Sequence, residues 1–259
     1  MALNGRWVEA PPKRAVPTGV LAARRFHEGL PGSAPTPLMA LPELARRLGL
    51  AAIFVKDESR RFGLEAFKGL GSSWAVARLL GERLGLGPEA LDLEALRAPS
   101  ARERRGELTF VSATDCNHGR GLAWAARLLG HRARIFMPAG ASAARVAAIR
   151  GQGAECVVTD LAYDDAVRHA ARVARESGAI LVQDTAWAGY ERIPGWIMEG
   201  YGTLALEAAE QLRAAGEEGP SHVFLQAGVG SFAAAMVAFL GPALASRGLA
   251  GPRFVSVEP

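Results

Sequence analysis

Lysine is scarce in this chain, and one of its three copies stands where an amine could do chemistry. Lys68 lies in the run Asp57-Glu58-Ser59-Arg60-Arg61-Phe62-Gly63-Leu64-Glu65-Ala66-Phe67-Lys68-Gly69-Leu70-Gly71. Arginine carries nearly all the positive charge, so surface solvation does not explain a lysine at this spot. Unlike arginine, lysine can lose its proton when desolvated and condense with an aldehyde to form an imine. Its neighbours Ala66, Phe67, Gly69 and Leu70 are apolar or small, a setting expected to lower the ammonium pKa. The plainer reading is a lysine at the start of a helix, its stem packed and its head in water.

Three further runs place reactive residue types between a strand and a helix, where open α/β sheets collect ligands. Ser112-Ala113-Thr114-Asp115-Cys116-Asn117-His118-Gly119-Arg120-Gly121 holds a carboxylate, an amide and an imidazole, more than a helix cap requires. Gln183-Asp184-Thr185-Ala186-Trp187-Ala188-Gly189-Tyr190 sets Asp184 directly after apolar Ile180-Leu181-Val182. A carboxylate at the edge of a core suits general acid or base work, although an aspartate there can equally serve a turn. In Gln226-Ala227-Gly228-Val229-Gly230-Ser231, glycines allow backbone N–H groups to close around a phosphate at a helix start. The same letters satisfy G-x-G-x-x-A, with Glu258 ending the next strand, which keeps a dinucleotide site open. A lysine for an imine, a phosphate turn, an amide and two carboxylates together match the needs of pyridoxal 5′-phosphate, a phosphate-bearing aldehyde.

These residues need a scaffold, and the hydropathy pattern predicts an α/β one. Residues 1–37, rich in Pro, Gly and Arg, read as an irregular arm. A short helix is expected at 41–48, a strand at 53–55 and a helix at 72–84, with 85–107 a connection holding one weak helix. From Leu108 strands at 109–111, 134–137, 157–158 and 180–182 alternate with helices. The first helix carries Leu122, Ala125, Ala126 and Leu129 and stops at Gly130, and the second covers 142–149. The third, with Val167, Ala170, Ala171 and Ala174 on its face, is capped by Asp164 or Asp165 and ended by Gly178. Such alternation predicts a parallel sheet with right-handed crossovers. A helix from 197 to about 214, a strand at 223–225, a turn and helix, and a strand at 253–257 follow.

Composition excludes several classes. With 49% hydrophobic residues among 259, a substantial core can form. The net charge of +4 is small, and the densest basic stretch, 102–105, contains Glu103 and no aromatic residue. That argues for a solvated linker and against a nucleic-acid groove. Cys116 and Cys156 give neither a disulfide framework nor metal spacing, which suits a reducing cytoplasm and no metal. Arg6 and Glu9 among prolines leave no apolar core for a secretory signal. Residues 223–246 are uncharged and long enough to span a bilayer, but Gln226, Gly228, Gly230, Gly241 and Pro242 break them into strand, turn and helix.

Lys56-Asp57-Glu58-Ser59 through Phe67-Lys68, Thr114-Asp115-Cys116-Asn117-His118-Gly119-Arg120-Gly121, Gln183-Asp184-Thr185-Ala186-Trp187 and Ile193-Pro194-Gly195-Trp196-Ile197-Met198 resemble diaminopropionate ammonia-lyase. This is a fold-type-II pyridoxal-phosphate family, related to threonine dehydratase and the tryptophan synthase β-subunit. The likeness runs from about Pro37 onward and is most specific over 183–198. It implies two parallel-sheet α/β domains with the cofactor in the cleft between them: 71–185 inserted, 1–70 and 186–259 the large domain. It implies that Lys68 holds the cofactor aldehyde, Asn117 its phenolic oxygen, and Gly228, Val229, Gly230 and Ser231 its phosphate. Asp115 would take the α-proton from the D-substrate and Lys68 from the L-substrate, while Asp184 positions the departing amino group. The implied reaction is α,β-elimination of 2,3-diaminopropionate to pyruvate and ammonia, in a homodimer.

Two departures stand out. Cys116 replaces the family's usual glycine, and family members continue past the strand at 253–257 with a part that faces the pyridine nitrogen. A serine or threonine dehydratase, a nicotinamide-dependent oxidoreductase and a non-catalytic remnant remain open as alternatives.

Overall fold

The computed structural model describes residues 16–217, 219–244 and 251–258. Structure begins earlier than composition predicts. Thr18–Glu28 forms α1 inside the expected irregular arm, while 1–15 of that arm lie outside the described residues. The signal is weak because α1 buries a face of small residues, Val20, Ala22 and Ala23 with Phe26, and turns Arg24 and Glu28 outward as an ion pair. Strand β1 (Leu38–Ala40) pairs antiparallel with β2 (Phe54–Lys56) around α2 (Pro42–Leu48). Helix α3 (Lys68–Leu84) starts four residues before the expected 72, so Lys68 occupies its first turn. The glycines at 69 and 71 mask this start, since glycine is a poor helix former. Two short helices, α4 (Leu93–Arg97) and α5 (Pro99–Arg105), fill the connection expected to hold one.

The predicted alternation follows. β3 (Thr109–Ala113), β4 (Arg132–Met137), β5 (Glu155–Val158) and β6 (Ile180–Leu181) form a parallel sheet in the order β5-β4-β3-β6. Between them run α6 (Asn117–Leu128), α7 (Ala143–Arg150) and α8 (Tyr163–Ser177). Strand periodicity sorts the two faces. Val111, Ala113 and Phe136 pack against Ala166, Ala170 and Ala174 of α8, while Phe110, Ile135 and Met137 join the larger core with Leu122 and Ala126. The cap of α8 differs from expectation: Ala162 holds the N-cap, and Asp164 and Asp165 fall in the first turn. There they still oppose the positive helix end.

The last third contains α9 (Arg192–Ala214), β7 (His222–Gln226), α10 (Ser231–Leu244) and β8 (Arg253–Val257), with β7 and β8 paired in parallel. α9 starts before the expected 197 because Pro194 sits in its first turn, where a missing N–H costs nothing. The uncharged stretch resolves, in its described part to residue 244, into β7, a turn and α10, while 245 and 246 lie outside the described residues. Among the described residues no helix is long and apolar enough to cross a membrane.

Helix α3 is clasped from two sides at its glycine-rich start. On α6, a Cβ added at Gly121 would stand 3.0 Å from the Lys68 carbonyl carbon. On α9, one added at Gly200 would stand 2.5 Å from the Leu70 oxygen. His27 of α1 completes the clasp: its Nε2 donates to the Leu70 carbonyl at 3.0 Å, and its Nδ1 accepts from Thr203 at 2.7 Å. Below Lys68 lies a buried ionic cluster. The Arg61 guanidinium meets Glu58 at 2.8 Å and Glu207 at 2.7 Å, and Lys56 meets Glu207 at 2.7 Å. It ties the Lys56–Glu58 motif to α9.

The clasp is testable. The obstacle at Gly200 is backbone and cannot rotate aside, so Gly200→Ala should destabilise the chain by about 1–3 kcal/mol in urea unfolding. Gly195→Ala on the same helix meets nothing within 4 Å and should cost nothing. Equal unfolding midpoints for the two variants would refute the clasp.

Candidate active site

The first turn of α3 aims Lys68 at a residue 116 positions away: its Nζ donates to Asp184 Oδ2 at 2.6 Å. The lysine side chain is 19% exposed and the aspartate 4%. Nζ also lies 5.6 Å from the Phe67 ring centroid and 5.8 Å from that of Tyr201. The expected lowering of the ammonium pKa is overturned. Burial does pull it down, but the Tyr201 hydroxyl and the Asp184 carboxylate outweigh burial and hold Lys68 above its ordinary value. Asp184 shows the mirror image. Burial pushes its carboxyl up, and His118 and Lys68 draw it below the usual range.

Local chemistry fixes Asp184 in place. The Gln183 side-chain oxygen accepts from Ser112 Oγ at 2.9 Å and from the Ala113 amide at 3.0 Å, tying the loop to β3. The Gln183 amide donates to the Tyr190 hydroxyl at 2.8 Å, which in turn donates to the Leu181 carbonyl at 3.1 Å. Tyr190 is stacked on Trp187 with centroids 4.3 Å apart. His118 does bond the backbone, through Nε2 to the Val182 carbonyl at 2.8 Å. Its other nitrogen faces Asp184 Oδ2 at 3.8 Å. Burial lowers its pKa, while the Asp184 carboxylate acts in the opposite sense.

Asp115 and Asn117 are not caps. Cys116 occupies the N-cap of α6 with no side-chain cap bond, and its amide donates to Thr114 Oγ1 at 3.1 Å. Asp115 stands exposed on the loop, and Asn117, also exposed, opens the helix on which a Cβ added at Gly121 would meet the Lys68 backbone. Cys116 is half-buried there, and burial pushes its thiol pKa up.

The glycine turn lies between β7 and α10. Gly230 has φ +86, conformational space that glycine tolerates, and nothing lies within 4 Å of a Cβ added at Gly228 or Gly230. Val229 is exposed at the turn's tip, and Ser231 begins α10. Phe232 brings this turn beside the lysine, with centroids 4.3 Å from Phe67 and 5.9 Å from Tyr201.

Whether these parts fit pyridoxal phosphate is decided by what is left unpaired. His118 Nδ1, Thr185 Oγ1, Tyr201 Oη and Ser231 Oγ are buried without hydrogen-bond partners. Dry polar atoms are costly, and four of them border Lys68, Asp184 or the glycine turn. A polar, phosphate-bearing ligand fits. Sequence reasoning passed over Tyr201 and Tyr163. Tyr163 meets the Gln183 side-chain amide at 3.4 Å and interacts electrostatically with Asp184, Asp115 and Lys68. A signal was present: the chain has three tyrosines, and all three adjoin Gln183, Asp184 or Lys68.

The chain is 54% identical over 214 residues to a diaminopropionate ammonia-lyase of Salmonella typhimurium, covering 83% of this chain and 53% of that protein. Against the Escherichia coli enzyme of the same name the figures are 51% over 218 residues, 84% and 54%. It therefore spans about half the length of these curated relatives. The crystal structure of the E. coli enzyme in apo form superposes with a TM-score of 0.88 at 47% identity, covering 97% of this chain and 66% of that one. The same enzyme in complex with D-serine gives 0.86 at 46%, covering 96% and 61%. The likeness sets aside the dinucleotide reading of the Gly228 turn. Residues 30–259 match the model of the pyridoxal-phosphate dependent enzymes, and the chain belongs to that family, with its fold-type-II architecture.

Proposed function

We propose that this chain carries the lyase site for α,β-elimination of 2,3-diaminopropionate to pyruvate and ammonia. The observation that carries the reading is the Lys68–Asp184 pair, closed at 2.6 Å beside an open glycine turn. When bound, pyridoxal phosphate supplies an electron sink for the pair released at the substrate α-carbon. Lys68 holds its aldehyde end and Asn117 its phenolic oxygen. Gly228, Val229, Gly230 and Ser231 hold its phosphate at the start of α10, where the helix dipole favours an anion.

The chain's own groups then move protons. Lys68 must shed one before its amine can condense, and Asp184 is the acceptor in direct contact. The same carboxylate positions the amino group that departs. Asp115, exposed and free of capping duty, takes the α-proton of the D-isomer. Lys68 takes that of the L-isomer, which presents it to the other face of the ring. The D-serine complex of the E. coli relative supports a small amino acid as substrate.

Residues 71–185 are read as the inserted domain, and 1–70 with 186–259 as the large one. Confinement of the four-stranded sheet to β3 through β6 supports that division. Two free cysteines support a cytoplasmic setting, and homodimer formation is carried over from the family.

Pyridoxal phosphate added to the purified chain should raise a visible imine band, and Lys68→Ala should abolish it. The chain should then release pyruvate from 2,3-diaminopropionate faster than from serine or threonine. The opposite order would make it a dehydratase, and no band would end the cofactor reading. Asp115→Asn should cut turnover of the D-isomer by about 10²–10⁴-fold while sparing the L-isomer. Equal losses on both would remove Asp115 from the proton step.

The raised Lys68 pKa leaves little free amine near neutrality, so condensation with an aldehyde, trapped with borohydride, should accelerate steadily as pH rises. Asp184→Asn leaves burial unopposed by the carboxylate, so the profile should move to lower pH by about one unit or more. An unmoved profile contradicts the assignment.

A further inference from the structure

Tyr201 is fully buried in α9, yet its hydroxyl has no hydrogen-bond partner. The ring cannot swing the hydroxyl elsewhere. It stands edge-on to Phe67 at 5.2 Å and to Phe232 at 5.9 Å, and a Cβ added at Gly71 would lie 2.7 Å from its Cε1. The hydroxyl is close enough to Lys68 and Ser231 for each to draw its pKa down, but burial prevails and pushes it up to about 12. It therefore keeps its proton at neutral pH and is available as a donor. Ser231 Oγ, at the head of α10, is likewise buried and unpaired. Two donors without an acceptor flank a turn whose Gly228 and Gly230 border open space.

We infer that the Tyr201 hydroxyl is a phosphate-binding group, donating a hydrogen bond alongside Ser231 to the phosphate of the cofactor. This rests on the cofactor site proposed above. It gives α9 a contact with the ligand as well as with α3, so one helix registers both the lysine's helix and the phosphate end. A phosphate oxygen is the acceptor that both hydroxyls lack, and charge-assisted hydrogen bonds of this kind are among the stronger ones.

The 259-residue chain and its Tyr201→Phe variant, both freed of cofactor, are titrated with pyridoxal 5′-phosphate and with pyridoxal, which has no phosphate. Tryptophan quenching reports binding. The Kd for pyridoxal phosphate should rise by about tenfold or more in the variant, with the pyridoxal Kd unchanged. Inorganic phosphate should compete less well against pyridoxal phosphate in the variant. The melting temperature of the apo variant should equal or exceed that of the parent, because a dry unpaired hydroxyl has been removed. An unchanged Kd for pyridoxal phosphate would overturn the inference. Equal weakening of both ligands would too, assigning the hydroxyl to Lys68 or to the ring. If the parent chain binds neither ligand, the cofactor site itself fails, and this inference with it.

Discussion

An ammonium and a carboxylate withdrawn from water together, Lys68 and Asp184, are the constraint on which the site depends. Each alone would face a desolvation penalty of several kcal/mol, and their contact offsets it only while both are present. That mutual dependence, with the Tyr201 hydroxyl beside it, explains why Lys68 sits above its ordinary pKa despite apolar flanks, and why the Asp184 carboxyl is held below its usual range in a nearly dry position. It also sets the chemistry proposed here. The amine becomes a nucleophile only when its proton is passed on, and the nearest base is the group that holds it.

Keeping the pair at 2.6 Å requires that α3 and the loop after β6 cannot drift. Glycines at 121 and 200 let two helices press on the α3 backbone, so the position of Lys68 is set by main chain against main chain. The Arg61, Glu58, Glu207 and Lys56 cluster locks the segment just before it. Such a cluster is weak evidence of net stability, but removing any one member strands a buried charge. The motif Lys56-Asp57-Glu58-Ser59 is thus a scaffold for the lysine twelve residues on, and its polar letters are not themselves the reacting groups.

Much of this was legible in the sequence. The rarity of lysine marked Lys68, and the apolar run before Asp184 marked a desolvated carboxylate. Alternating strands and helices from Leu108 marked the parallel sheet. The losses share one cause, which is that a sequence shows neighbours along the chain and hides those across it. Apolar flanks predict a lowered lysine pKa, while the groups that raise it, Tyr201 and Asp184, both lie more than a hundred residues away. The alanine-rich face of α1 carries too little hydropathy to stand out, and the glycines that open α3 look like a loop until their packing partners are known. Unpaired hydroxyls such as that of Tyr201 are invisible without coordinates, although the scarcity of tyrosine could have been weighed as that of lysine was.

The Tyr190 phenol has one more consequence. β6 ends its sheet, so its outer rim offers an amide and a carbonyl to any extended segment that comes by. The phenol takes both, receiving from the Gln183 amide and giving to the Leu181 carbonyl. One aromatic side chain thereby imitates a fifth strand, and the rung nearest Asp184 is closed to intermolecular sheet growth.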